Sequence, residues 1–293
     1  MDQSYENLKK GEKGAWLSII AYLVLSIVKL WIAYIGNSEA LRADGLNNST
    51  DVIASIALLV GLKISRIPPD QDHRYGHYRA ETIASLFAAF IMMTVGIQVI
   101  INIIQKLFSG STVQPDLLTA WTAFGSAVIM LLVYRFNLSL SRKINSSAIY
   151  AAAQDNRSDA LVSLGAFIGI IGAQFGVFWL DPIAGLLVGF IICRTAWHIF
   201  KDATHSLTDG FDEKQLEKIK ASVSNVSQVK HIRDIKGRFH GNQALIDITI
   251  LVDPHLDVQE SHDITVQVEQ LLADKHHIAY THIHIEPYKS IDK

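Results

Sequence analysis

Residues 15–35 read AWLSIIAYLVLSIVKLWIAYI, an unbroken apolar run with one charge, Lys29. A helix rises 1.5 Å per residue, so about 20 apolar residues cross the roughly 30 Å hydrocarbon core of a bilayer. The pattern recurs along the chain. Residues 82–105, 117–134 and 160–180 contain no charge, and 182–200 contain only Arg194. A sixth candidate, residues 41–64 (LRADGLNNSTDVIASIALLVGLKI), is apolar in its second half only, and as a helix it places Asn47 and Asp51 at membrane depth. The stretch 148–160 is similar: it is rich in helix formers but carries Asp155, Arg157 and Asp159. Two polar half-helices inside an otherwise lipid-compatible bundle are the informative departure, because intramembrane acids are costly unless they serve a site.

The charge distribution sets the domain boundary. Of 54 charged residues, 28 fall in residues 1–200 and 26 in 201–293, or 14% against 28% of the positions. Soluble domains carry about 25% charged residues. The chain therefore reads as a membrane domain over 1–208 and a soluble domain over 209–293. One cysteine excludes a disulfide-stapled fold, and a net charge of -2 argues against a nucleic-acid partner. The start, MDQSYENLKK, lacks a signal-peptide cleavage pattern. Lys9, Lys10 and Lys13 precede the first span, Lys63, Arg66, Arg74 and Arg79 follow the second, and Arg135, Arg142 and Lys143 follow the fourth. The alternate loops, near 36–40, 109–116 and 173–181, hold no Lys or Arg. The positive-inside rule then predicts a multi-pass protein of the inner (plasma) membrane with both termini cytoplasmic. In the soluble part, helical periodicity over 212–224 and 258–275, and strand alternation over 228–239, 243–252 and 278–286 around a turn at Gly241-Asn242, give the order αββαβ. The expected fold is a membrane all-α six-helix transmembrane bundle followed by a cytoplasmic α+β domain of ferredoxin-like type.

Three sets of residues carry metal chemistry. Asn47 and Asp51, and likewise Asp155 and Asp159, are spaced i, i+4, so each pair shares a helix face one turn apart. Side by side they supply three carboxylates and an amide, four hard oxygen donors suited to a divalent cation. Plain polar cross-linking of helices is the alternative, but three converging acids repel one another without a cation or protons. The segment Asp70-Gln-Asp-His73-Arg-Tyr-Gly-His77 offers two imidazoles and a carboxylate in a loop, the donor types of a transition-metal site; an ordinary solvated loop is the alternative. Nine of the 12 histidines follow residue 201: His282, His284 and Glu286 share one face of the last strand, His231 lies on the first strand and His262 in the second helix of the soluble part. Ordinary surface histidines are the alternative there.

With six spans, these two intramembrane pairs and the αββαβ tail, the chain resembles the cation diffusion facilitator family, specifically its manganese-type bacterial branch. The resemblance rests on ADGLNNSTDVIAS, PDQDHRYGHYRAE, AQDNRSDALVS and LDPIAGLLVG, which occur in the family's order and cover nearly the whole chain. It implies a homodimeric secondary transporter, not an enzyme, that exports divalent metal from the cytoplasm in exchange for protons, with no cofactor beyond the transported metal. It implies that Asn47, Asp51, Asp155 and Asp159 form the transport site, that Asp70, His73 and His77 form the loop site, and that His231, His262, His284 and Glu286 match cytoplasmic-domain ligands. Arg79 and Asp209 sit where the family places a basic–acidic contact near the dimer interface.

The departures from the family pattern point to the metal. Zinc-specific members carry His where this chain has Asp155, and Asp or His where it has Asn47; the His-rich loop of eukaryotic zinc members is missing from RFNLSLSRKINSS. Imidazole favours zinc, whereas carboxylates and an amide suit manganese. Zinc, iron, cobalt and cadmium remain the alternative cargoes, because zinc also accepts carboxylates. Thr249 stands where zinc-binding members have a strand histidine, with Asp247 two residues back as its substitute. A metal-dependent intramembrane hydrolase is disfavoured by the lack of an HExxH pattern or a nucleophile–base pair. A non-transporting metal sensor would bind metal without flux, and a channel would pass metal without responding to a pH gradient.

Overall fold

The computed structural model describes residues 2–65, 67–109, 114–144, 147–241, 243–278 and 280–289, without the side chains of 2–15, 58, 62, 144 and 147–151. The side chains of Lys9, Lys10 and Lys13, and the residues Arg66 and Asn242, thus lie outside the described part. Among the described residues the order is α1 (Asp2–Gly36), α2 (Glu39–Ser65), α3 (Arg79–Phe108), α4 (Leu117–Ile144), α5 (Ser147–Gln174), α6 (Leu180–Leu207), α7 (Glu213–Ser224), β1 (His231–His240), β2 (Gln243–Val252), α8 (Val258–His276) and β3 (Tyr280–Pro287). Six long helices precede an αββαβ tail, as the sequence predicts.

Among the described residues, five helices are long and apolar enough to cross a membrane: α1 from Trp16, then α2, α3, α4 and α6. The half-polar α2 is among them and α5 is not, the reverse of the expected ranking. The charge-free run 160–180 is interrupted because α5 stops at Gln174. Gly176 adopts φ 88°, and the Val177 and Gly176 amides bond back to the Gly172 and Ala173 carbonyls at 3.2 Å, which terminates the helix. The apolar part of α5 is therefore only 160–174, and its other half carries Asp155, Arg157 and Asp159.

The chain divides into two compact units, Met1–Ala57 with Phe87–Ile199, and Leu58–Leu86 with Phe200–Lys293. In the first, α1 packs on α4 and α5, and α4 on α5. Small side chains fill one seam (Ala33, Ala40, Leu41, Ala120, Ala123, Ala166 and Ile170), and a second joins Ala43 to Met92, Val99 and Ile103 of α3 and to Val188, Ile192 and Ala196 of α6. Helices without a hydrophobic drive between them associate by such close approach. A Cβ at Gly96 would lie 2.6 Å from the Cys193 sulfur, so α3 and α6 meet there only because position 96 is glycine. Large apolar residues such as Trp31, Phe90, Leu132, Leu187 and Phe190 face outward, as lipid contact requires. At the short turn between α1 and α2, Asp181 accepts hydrogen bonds from Ser38 Oγ (2.6 Å) and from the Glu39 amide (2.8 Å), which caps α2 from the start of α6.

In the second unit the sheet order is β1-β2-β3, with β1 and β2 antiparallel and β2 and β3 parallel across the α8 crossover. Ile219 and Val223 of α7 and Ile264, Val268 and Leu272 of α8 close over one sheet face formed by Ile232, Ile246, Ile248 and Ile250. Asp257 and Glu260 form a capping box at the start of α8, and Asp212 caps α7. β1 begins at His231 instead of 228, because the Val229 amide turns back to the Val226 carbonyl at 3.0 Å.

Candidate functional site

The polar half of α2 and the polar half of α5 meet α1 inside the first unit. Asn47 Nδ2 donates to Asp51 Oδ2 at 3.3 Å along its own helix and to Asp159 Oδ1 at 3.1 Å across to α5. Asn47 and Asp159 are buried and Asp51 is half-buried. Three of the four expected donors thus meet, with one amide bridging two carboxylates. Asp155 lies a turn away toward the start of α5, with its side chain exposed; its charge reaches both Asp51 and Asp159. Arg157 is also exposed, off this face.

The remaining oxygen of Asp159 is held by a residue that the sequence reading passed over. Tyr22 on α1 donates its hydroxyl to Asp159 Oδ2 at 2.7 Å and accepts from Asn156 Nδ2 at 2.8 Å. Asn156 in turn accepts from Ser18 Oγ at 3.2 Å and from Asn137 Nδ2 of α4 at 2.9 Å. On the other side of the centre, Lys29 pairs with Asp44 at 2.9 Å and donates to Asn48 Oδ1 at 2.6 Å and to Ser163 Oγ at 2.9 Å. Ser26 Oγ lies 2.6 Å from Ser49 Oγ between these groups. Ser18, Tyr22, Ser26 and Lys29 are all buried, and their spacing of four, four and three residues makes one polar stripe along α1. That spacing is present in the sequence, but counting apolar residues treats each polar residue in a span as a tolerated exception.

The loop triad of the second unit is assembled locally. The carboxylate and ring donor atoms of Asp70, His73 and His77 all lie within 4.8 Å of one another, the one such acid–His–Cys group among the described residues. Asp70 is 3.4 Å from both rings, whose centroids are 4.4 Å apart. The geometry comes from a turn and not from a helix. Asp70 Oδ1 accepts the His73 and Asp72 amides at 2.6 and 3.0 Å, and Gly76, at φ 83°, brings His77 back beside His73. The His73 amide bonded to Asp70 holds its carboxyl below the ordinary value. Arg79 Nη2 donates to Asp209 Oδ1 at 2.8 Å, pairing the two residues singled out from the sequence. His240 sits between the rings of Tyr75 and Tyr78 at 6.2 and 5.9 Å. Burial, with the Arg79 charge beside it, pushes its pKa down.

The tail residues are spread out within this single chain. Asp234, Thr249 and His284 form one row across the sheet, and Lys236, Asp247 and His282 form the next. Asp247 therefore faces His282, not His284. His231 and Glu286 flank Leu251 from opposite strands. At about 3.3 Å per residue, the four residues from Asp247's partner to Glu286 span roughly 13 Å, too far to share an ion. His284 is 3.6 Å from Glu286, and Arg233 takes the other Glu286 oxygen. His262 is exposed on α8, the helix that covers the opposite sheet face.

Residues 15–208 match the family model described as the cation efflux transmembrane domain, and residues 211–288 match that of the cation efflux protein cytoplasmic domain. The chain is 52% identical over 285 residues to the manganese efflux system protein MneS of Bacillus subtilis (strain 168), covering 97% of this chain and 98% of that protein. It is 32% identical over 285 residues to the manganese efflux system protein MneP of the same organism, covering 94% and 96%. Among solved structures, the copper form of the MamM C-terminal domain aligns with 28% of this chain and 80% of its own, at 24% identity and a TM-score of 0.27.

Proposed function

The chain belongs to the cation efflux, or cation diffusion facilitator, family of membrane transporters, and we propose that it is a homodimer that exports divalent manganese from the cytoplasm in exchange for protons. The observation that carries the reading is the donor chemistry of the buried centre. Asn47, Asp51 and Asp159, with Asp155 a turn away, offer only oxygen donors, with no imidazole or thiolate among them. Hard oxygen sets suit manganese, whereas imidazole draws zinc. The relatives named for manganese efflux support the same cargo.

Without cargo, the Asn47 nitrogen holds the two acids together. Rotating that amide by half a turn presents its oxygen to a cation, and Asp51 and Asp159 then gain the ion in place of the amide hydrogens. Tyr22 keeps Asp159 aimed at the centre. Metal and protons compete for the same carboxylate oxygens, so protonation on the far side ejects the ion and deprotonation on the cytoplasmic side readies the site again. Residues 1–208 carry this cycle, with both termini cytoplasmic as the basic loops require. Residues 209–293 dimerise and sense cytoplasmic metal, and the loop triad Asp70, His73 and His77 takes metal at the membrane edge. Because no tail cluster closes among the described residues of one chain, the tail ligands His231, Asp247, His262, His284 and Glu286 act in pairs or together with the second protomer.

A second reading, export of zinc, iron, cobalt or cadmium through the same centre, is favoured by one fact: zinc binds more tightly than manganese at equal ligands. Competition flux in proteoliposomes, with manganese set against zinc, iron and cobalt and proton movement recorded, decides between them. The expected result is manganese flux that drives opposite proton movement and slows when the pH gradient is collapsed. Zinc outrunning manganese overturns the cargo assignment, and flux indifferent to the gradient overturns the coupling.

A further inference from the structure

Building on that transport reading, we propose that the Lys29–Asp44 ion pair, tied to Asn48 and Ser163, is a positioning lock: it seals α1, α2 and α5 on one side of the transport centre and separates to let the cargo leave. Both side chains are fully buried, and their nitrogen–oxygen distance is 2.9 Å. Lys29 holds three helices at once, since Asp44 and Asn48 are on α2 and Ser163 is on α5.

The lock lies to one side of the centre by helix arithmetic. Asp44 precedes Asn47 by three residues toward the start of α2, Ser163 follows Asp159 by four toward the end of α5, and Lys29 follows Tyr22 by seven toward the end of α1. At 1.5 Å per residue these are displacements of about 4.5, 6 and 10 Å. All three point to the same end of the bundle, where the α1–α2 turn is bonded to Asp181 at the start of α6. Burial changes at the same level. Nine of the twelve residues Glu39–Thr50 are buried, whereas Asp51 and most of the described residues after it on α2 are partly or fully exposed. The centre thus sits at the border between a sealed half and a more open half of α2.

The chemistry suits release better than it suits rigidity. A buried ion pair adds little stability over well-packed apolar residues. This one also leaves Asp44 Oδ1 without a hydrogen-bond partner, and Asp44 Oδ2 meets Lys29 as an ion pair outside good hydrogen-bond geometry, so its network is incomplete as it stands. The Lys29 ammonium is near enough to act on both Asp51 and Asp159. A divalent cation arriving between those acids cancels their attraction for Lys29 and adds repulsion. The cargo thereby loosens the lock that confines it, while the empty centre, once deprotonated on the cytoplasmic side, keeps the lock shut and prevents leak.

The test uses the full chain with Ser26→Cys as reporter and Cys193→Ser as background, in right-side-out and inside-out vesicles. Ser26 lies on the α1 stripe between Tyr22 and Lys29, and the change to Cys is nearly isosteric. A charged, membrane-impermeant thiol reagent is applied from each side, with and without manganese, and manganese export is read in the same preparations. With the lock intact, labelling from the Gly36–Ser38 side is slow and manganese accelerates it. The neutral pair Lys29→Met/Asp44→Asn is expected to label from that side about tenfold faster or more, with no further response to manganese. Ser163→Ala, which removes a single hydrogen bond, is expected to speed labelling about threefold. Unchanged labelling in a membrane-inserted double variant overturns the lock, because a merely structural pair has no reason to control access. If the double variant fails to insert, Ser163→Ala decides alone, and no acceleration overturns the proposal. Failure of the reporter background to export manganese counts instead against the transport reading, and the labelling comparison still stands.

Discussion

Asp159 in the bundle and Asp70 in the loop are both carboxylates that we propose meet a cation, yet they are held in opposite ways. Asp159 is buried, and its two oxygens are fixed by Tyr22 and Asn47, partners 137 and 112 residues away in sequence. Asp70 is exposed and is fixed by the amides of residues two and three positions on. The first arrangement exists only when three helices are packed, so metal, protons and helix packing are coupled there. The second needs only one turn of chain with a glycine at 76. On the proposed reading, the first site can drive a conformational cycle and the second can only collect ions.

The largest effect is expected at the buried acids. Asp51→Ala or Asp159→Ala should cut vesicle manganese export by about 100-fold or more, since removing one member of a buried charged set forfeits several kcal/mol. Comparable loss from His73→Ala/His77→Ala would erase the distinction. The loop variant should instead keep export within about threefold, its exposed donors being weakly coupled to the rest of the protein. Tyr22→Phe should raise the half-saturating manganese concentration about tenfold, the usual cost of losing an outer partner of a ligand. Asp155→His should raise the zinc-to-manganese flux ratio about tenfold by adding an imidazole next to the centre. An unchanged ratio would remove residue 155 from metal selection.

The smallest effect concerns His240, at the edge of the loop region. Its folded pKa is below the ordinary 6.5, first because it is buried and second because Arg79 is near. The neutral form is therefore favoured in the fold, so its contribution to stability is full above pH 6.5 and fades as pH falls through the lowered value. An NMR titration of labelled His240 in the full protein should show a midpoint below 6.5, and Arg79→Ala should recover only part of the shift. Full recovery would make charge, and not burial, the cause.

Much of this was legible in the sequence, and the reasons differ by region. α1, α3, α4 and α6 follow from run length, α2 and α5 from an apolar half joined to a polar one, and Asn47, Asp51 and Asp159 from polar residues recurring at i, i+4 where lipid penalises them. The Arg79–Asp209 contact came from the family resemblance alone. The α1 stripe went unread because each polar residue stands alone among apolar neighbours, and only the three-helix contact reveals that Tyr22 and Lys29 face inward. The end of α5 was overrun because composition does not register a helix stop: Phe175 and Val177 are as apolar as a span, and the positive φ of Gly176 decides the matter. On the tail strands, alternation correctly put His284 and Glu286 on one face, but register pairs Asp247 with His282, and register depends on the strand partner.

A tightly bound manganese ion should sit among Asn47, Asp51 and Asp159. Manganese binding to the full protein should be measured with the loop and tail donors removed together (His73→Ala, His77→Ala, His284→Ala and Glu286→Ala), and then again with Asp159→Ala added. The account predicts that the first variant retains one manganese per chain and that adding Asp159→Ala abolishes it. Loss of that ion in the first variant, or its survival in the second, would contradict a buried transport centre built on Asn47, Asp51 and Asp159.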